Sequence, residues 1–430
     1  MSIGKKVVSI FTTFRSADSA YSLNRVVQDQ IKMLTAFGYE VVVLVAKGFE
    51  NSIKEAYALP GVTLFYLPDV PTSNEGHLPE DWTTHRDAMT KALNEAVEKY
   101  KIEVFLTHDL ISQPAHLIHN LAARKTAESY PQVRWLHWIH SVFSSNMPSN
   151  IMEASRIGRE RFPNSILVYP NSFDVPRVAS NFGYEETDIK WCPHPTDIEE
   201  FFGMDDVSKA FIKKYNLLKA DIIMVYPCRL DRGKQPHILI NIAAAVKKAD
   251  MTVRCIFMDF HSTGGDKVVY REEMKRMAYE QGLNDHEVIF FSKFDKKYEY
   301  EAPHQVVKDL MMVSNIFIMP SRSETYSLVT QEAILCGNFA ILNHDFTPFR
   351  SIFGNLPKYY PFGANIGFNG YDGSIDTVVN DPDAFYGAMA EYIKYMTTFD
   401  KVLALKTFIR KERNLYSVFK KFLEPLIYSE

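Results

Sequence analysis

Four cysteines in 430 residues, Cys192, Cys228, Cys255 and Cys336, share no Cys-x-x-Cys spacing. That scatter excludes a disulfide-stapled or zinc-ribbon framework and fits reduced thiols in a cytosolic protein. No apolar run approaches the length needed to span a bilayer, so any membrane association is expected to be peripheral. An apolar h-region and a small-residue cleavage site are both missing from Met1-Ser-Ile-Gly-Lys-Lys, so no secretory signal is expected. Positive charge is not in excess either. The formal net charge of -4 argues against binding nucleic acid mainly through bulk charge. Low-complexity tracts and short-period repeats are absent.

What is present is an alternation of buried-looking strands and amphipathic helices. Val7 to Phe11 reads as a strand, Leu23 to Phe37 as a helix ended by Gly38, and Glu40 to Ala46 as the next strand. Further strands are expected at 62–67, 104–107, 133–139 and 166–169. A second series starts at Ile222 to Tyr226, followed by the helix His237 to Lys248 and strands at 254–258, 288–291, 316–319 and 339–342. This is the α/β pattern of parallel sheets covered by helices, and the chain is long enough for two such domains. The turn formers of Pro193 to Phe202 mark the crossing between them. The expected division is 1–195, 196–384, and C-terminal helices over 385–430 that return to the first domain. These end in a helix Lys401 to Leu423 with basic and apolar residues at helical spacing.

The most informative stretch is Asn315-Ile-Phe-Ile-Met-Pro-Ser-Arg-Ser-Glu324-Thr-Tyr-Ser-Leu-Val-Thr-Gln-Glu332-Ala-Ile-Leu-Cys-Gly337. A strand apolar on both faces stops at Pro320-Ser321, where ligands of open α/β sheets collect. The loop then enters a helix whose free N–H groups attract anions. Glu324 falls in the turn and Glu332 about two turns into the helix, so the two carboxylates serve different parts of one long ligand such as a nucleotide sugar.

The sequence resembles the retaining GT-B glycosyltransferases of the large family 4. The resemblance rests on Glu324 and Glu332 within Pro-Ser-x-x-Glu-x7-Glu-Ala-x-x-x-Gly and on Val225-Tyr-Pro-Cys-Arg229-Leu-Asp-Arg-Gly-Lys234. It implies two Rossmann-like domains with parallel sheets facing a central cleft. It also implies a UDP- or GDP-sugar donor as cosubstrate, and neither a cofactor nor a catalytic metal. Arg229 and Lys234 would clamp the diphosphate, Glu324 would touch the transferred sugar and Glu332 would accept from ribose hydroxyls. Backbone amides of Tyr326, Ser327 and Leu328 would face the phosphates where the family has Gly-Phe-Gly. Lys293 and Phe294 fall where relatives contact the nucleobase. His140 of His137-Trp-Ile-His140 would line the sugar pocket, with His137 as second choice.

The chain departs from that family in two loops. Arg15-Ser-Ala-Asp-Ser-Ala20 stands where a Gly-Gly pair is usual, and Arg15 and Asp18 read equally as acceptor contacts or as solvated loop charges. Ile256-Phe-Met-Asp259-Phe-His261 replaces a Gly-x-Gly-Pro turn, which offers Asp259 or His261 as donor contacts. His116 and His119 at helical spacing, and His108-Asp109, lack a third metal ligand in the sequence and read as structural. Family prevalence points to a carbohydrate or lipid-linked acceptor. Lys401, Lys406, Arg410, Lys411 and Lys420 are read either as contacts to an anionic membrane surface or as a solvated helix face. The short His140-Ser-Val run is similar to bacteriophage base glucosyltransferases, which makes a modified DNA base the other acceptor class. A sugar-nucleotide epimerase and a catalytically silent nucleotide-sugar-binding subunit are the competing functions.

Overall fold

The computed structural model describes residues 6–14, 22–49, 57–71, 78–140, 156–157, 160–260, 267–322, 324, 326–363 and 379–428. The chain divides into two compact units, residues 1–196 with 415–430, and residues 197–414.

The first unit is a seven-stranded sheet: β1 (Val8–Phe11), β2 (Val41–Ala46), β3 (Val62–Leu67), β4 (Val104–His108), β5 (Arg134–Trp138), β6 (Ser165–Tyr169) and β7 (Ile189–Trp191), in the order β3-β2-β1-β4-β5-β6-β7. All of its pairings are parallel. Successive residues point to opposite faces, and over the central strands β1, β2 and β4 both faces are buried. Phe11, Phe105 and Trp135 enter one apolar layer, whereas Ile10, Leu106 and Leu136 enter the other. Phe105 and Trp135 stack across neighbouring strands with ring centroids 4.3 Å apart.

The second unit holds β8 (Ile222–Arg229), β9 (Val253–Phe260), β10 (Val288–Phe290), β11 (Ile316–Met319), β12 (Phe339–Asn343) and β13 (Lys358–Tyr360), again all parallel, in the order β10-β9-β8-β11-β12-β13. Asn315 joins β11 to β8 at its start, its Oδ1 accepting from Ile223 N–H at 2.9 Å. The strand order reverses between β1 and β4 in one sheet and between β8 and β11 in the other. At such a reversal the flanking crossovers leave on opposite sides and open a crevice at the carboxyl edge. Among the described residues no helix is long and apolar enough to cross a membrane.

The C-terminal segment differs from expectation. Helices Pro382–Phe399 and Lys401–Glu412 belong to the second unit, and only residues from 415 onward belong to the first. Tyr386, Met389, Ala390 and Ile393 are buried in the second core, which holds this segment there. Instead of one helix from Lys401 to Leu423, the chain breaks at Arg413-Asn414. The Asn414 amide donates to the carbonyls of Arg410 (2.6 Å) and Lys411 (3.1 Å), satisfying the helix end. Beyond the break, Phe419 stacks on Phe37 at 4.0 Å, and Val418, Leu423 and Ile427 close one face of the first sheet.

The basic residues of this segment are largely turned to internal work. Lys406 donates to the carbonyls of Ser314 and Cys336, both at 2.7 Å, and burial pushes its ammonium down to about 8. Arg410 is buried and donates to the carbonyls of Leu217, Leu218 and Asp221. Lys411 pairs with Asp221, and Lys420 with Glu424 at 2.8 Å. The basic stripe read either as a membrane contact or as a solvated helix face is therefore mostly a set of internal anchors. Replacing Arg410 by Ala removes three buried hydrogen bonds and leaves the Leu218 carbonyl without its side-chain donor, while Leu217 O keeps Ala220 N–H and Asp221 O keeps the Asn315 amide. The substitution should cost about 2–4 kcal/mol, read as a lower urea midpoint.

Candidate functional site

In the second unit, β8 ends on Arg229, whose side chain is 52% exposed, with its Nε 3.9 Å from Asp231 Oδ2. The turn Arg232–Lys234 follows, and Lys234 Nζ donates to Glu324 Oε1 at 2.5 Å, with both side chains 18% exposed. Lys234 comes from the loop after β8 and Glu324 from the loop after β11, so this ion pair bridges the strand-order reversal. Partial burial lowers the local dielectric and strengthens the pair relative to one in open water.

Polar side chains that sequence reasoning passed over hold the two loops together. Gln235 adopts a left-handed backbone (φ 53°) and is fully buried. Its amide donates to Pro320 O at 2.6 Å and Phe362 O at 2.8 Å. Asn343, at the end of β12, donates to the carbonyls of Ser321 (3.1 Å) and Gly363 (2.7 Å). Arg322 N–H donates to Gly233 O at 3.0 Å. The signal that could have found Gln235 and Asn343 is their type: buried polar residues directly beyond strands or turns exist to satisfy backbone groups.

Past Glu324, the helix Leu328–Leu335 starts at Ser327, which sits in the left-handed region (φ 63°). That conformation is open to glycine and costs other residues of order 1 kcal/mol. Ser327 Oγ pairs with Thr330 Oγ1 at 2.7 Å, while Tyr326 and Leu328 are 51% and 67% exposed. Gly337, also left-handed (φ 75°), ends the helix, as its place in the motif anticipates. Glu332 does not join the Lys234–Glu324 pair. Its Oε1 lies 3.3 Å from Nε2 of His304, with side chains 42% and 77% exposed respectively.

Lys293 Nζ lies 3.6 Å from Glu272 Oε1. Phe294 packs within the protein, its ring 5.2 Å from that of Phe211 and its other contacts including Lys214 Nζ at 5.0 Å. Asp259 is buried and accepts from Ser292 N–H (3.0 Å) and Ser292 Oγ–H (2.6 Å), beside Lys267 and Arg271. From within β9 it thus holds the turn after β10, while His261 and the loop carrying Arg15, Asp18, Ser19 and Ala20 lie outside the described residues.

In the first unit, His140 follows β5 and is partly exposed. Its N–H donates to Asp109 Oδ1 at 2.7 Å, its Nε2 lies 3.0 Å from His108 Nδ1, and its ring stacks on His194 at 5.3 Å. His137, by contrast, is fully buried and bonded to Thr107 Oγ1 at 2.7 Å, so it is a core residue. Among the described residues, no group of three His, Cys, Asp or Glu side chains is placed to hold a metal ion.

Residues 207–359 match the family model for Glycosyl transferases group 1. The match covers β8 to β12 and hence Arg229, Lys234, Glu324 and Glu332. A D-inositol 3-phosphate glycosyltransferase 1 of Catenulispora acidiphila is 25% identical over 117 residues, which is 27% of this chain. The chain thus spans about a quarter (26%) of the length of this curated relative. Among solved structures, a glycosyltransferase from Rickettsia africae aligns over 100% of both chains with a TM-score of 0.40 and 14% identity. Anabaena HepE in complex with UDP-glucose aligns over 98% of this chain and 99% of its own, with a TM-score of 0.37 and 10% identity.

Burial pushes His119 and His137 down to about 3 and His194 to about 4. The unfolded chain therefore binds protons below pH 6.5 that the folded chain refuses, and stability falls as pH drops from 6.5 toward these values. Each histidine contributes a slope of about 1.4 kcal/mol per pH unit inside that window. In His137→Phe, urea unfolding between pH 4 and 6 should show a pH slope shallower by about one proton.

Proposed function

We propose that the chain is a retaining glycosyltransferase that moves a sugar from a UDP- or GDP-sugar to an acceptor hydroxyl, by default on a glycan or a lipid-linked glycan. The observation that carries this reading is the Lys234–Glu324 pair, which bridges the reversal between β8 and β11 inside the segment matched by the group 1 family. A cation and a carboxylate held side by side suit a ligand with an anionic diphosphate next to a hydroxylated sugar.

On this reading, the bond between the anomeric carbon and the diphosphate oxygen breaks. Positive character develops on the sugar, and negative charge develops on the leaving diphosphate. Lys234, Arg229 and the N–H groups at Tyr326, Ser327 and Leu328 stabilise that charge. The acceptor hydroxyl attacks from the face the diphosphate leaves, and its proton passes to the departing phosphate oxygen. Retention then follows without a protein carboxylate forming a bond to the sugar. Glu324 keeps Lys234 extended toward the donor and accepts from sugar hydroxyls. Glu332 accepts from the ribose once it exchanges His304 for the ligand.

Incubation with radiolabelled UDP- and GDP-sugars tests the reaction class. Slow donor hydrolysis or transfer with retained anomeric configuration is expected; an isomerised free sugar nucleotide, or binding without turnover, would overturn it. Lys234→Ala and Glu332→Ala should each weaken donor binding about tenfold or more by titration calorimetry, about 1.4 kcal/mol or more. Unchanged affinity in both variants would sink the site assignment.

A further inference from the structure

The carboxyl edge of the first sheet carries a line of polar side chains with no part in the donor chemistry above. It starts at Gln30, buried on the helix Ser22–Ala36, whose Oε1 lies 3.0 Å from Nε2 of His108. His108 is the last residue of β4 and is 7% exposed. Its Nδ1 lies 3.0 Å from Nε2 of His140. The two rings are 22° apart with centroids 5.3 Å apart, so the bond runs edge to edge close to both ring planes. Asp109, held in the left-handed region (φ 50°), accepts the His140 main-chain N–H at 2.7 Å and the Ser112 hydroxyl at 2.9 Å, which fixes where His140 leaves the sheet.

Counting protons along this line decides the state of His140. An amide oxygen only accepts, so His108 donates through Nε2–H to Gln30. A neutral imidazole has a single N–H, so Nδ1 of His108 is a lone pair and must receive a proton from Nε2 of His140. His140 is then left with a lone pair on Nδ1. Burial keeps both rings neutral near pH 7: it lowers His108 strongly, helped by His140 and His194, and lowers His140 against the opposing pull of Asp109. Among the described residues, His108, His194 and Asp109 are the titratable groups that face His140.

We propose that Gln30 and His108 are positioning residues that lock His140 in its Nε2–H tautomer, presenting Nδ1 to a ligand as a hydrogen-bond acceptor. The tautomer lock stands on the first unit alone. The identity of the group it meets, a sugar hydroxyl, rests on the glycosyltransferase reading. An acceptor nitrogen takes a bond from a hydroxyl and offers none to an ester or phosphate oxygen, so it favours the hydroxylated face of a ligand over an esterified one.

The test is nitrogen NMR of the full chain labelled with 15N-histidine, which separates protonated from unprotonated ring nitrogens. At pH 7.5 the wild-type protein should show His140 with Nε2 protonated and Nδ1 bare. Gln30→Met keeps the bulk of the side chain and removes the acceptor, so the His140 signals should become those of a mixture of tautomers. An Nδ1-protonated His140 in the wild-type protein overturns the proposal without need of any variant. A folded Gln30→Met protein with an unchanged His140 signature overturns it as well. Where the reaction is observed, kcat/KM in Gln30→Met should fall about tenfold. Loss of the lock with no detectable turnover in any protein, wild type included, would support the lock and count against the glycosyltransferase reading, so the two failures are told apart.

Discussion

Parallel pairing is the constraint on which both units depend. A parallel strand cannot be reached by a tight turn, so each strand is followed by a crossover that lays a helix or a long connection on one face of the sheet. Both faces are therefore covered, which is why β1, β4 and β5 send alternate residues into two separate apolar layers. The same rule places every strand's carboxyl end on one edge. In the second unit this brings the loops after β8 and β11, far apart in sequence, to the one place where the covering helices diverge. The pairing of Lys234 with Glu324 is a local consequence of that topology.

Polar side chains at these edges divide between two kinds of work. Gln235, Asn343, Asp259 and Arg410 are spent on backbone groups that the sheets and helices leave unsatisfied. Lys234, Glu324, Glu332 and His140 keep some exposure while being held in place by neighbouring side chains. The first kind makes the edge rigid, and on the proposed reading the second would meet a ligand without having to be ordered on binding. Ser327 shows the cost of this arrangement, since it occupies a backbone conformation suited to glycine so that the following helix can begin directly beyond the loop.

Much of this was legible in the sequence. The strands at 62–67 and 316–319 fall where expected: the second is a continuous apolar run with few other ways to be buried, and the first is rich in β-formers although its edge place leaves Thr63 and Tyr66 exposed. Strands β7 and β13 were not legible: Ile189–Trp191 and Lys358–Tyr360 are three-residue edge strands in which Lys190 and Lys358 leave too short an apolar run. Glu324 and Lys234 could be chosen from their motifs, but their contact could not, because it joins segments 90 residues apart. The basic stripe after Lys401 was misleading, since helical spacing shows which residues share a face and not whether that face meets water or backbone carbonyls.

By itself the sequence determined the α/β class, most strands, and the residues that carry charge around Glu324, because periodicity and turn chemistry are local properties of the chain. Tertiary structure alone decided where the C-terminal helices belong, that Glu332 rests against His304, and that His137 is core while His140 reaches the surface. The physical reason is common to all three. Burial and partner choice are set by what arrives from distant parts of the chain, and two histidines three residues apart read identically until the sheet puts one between its layers and the other at its edge.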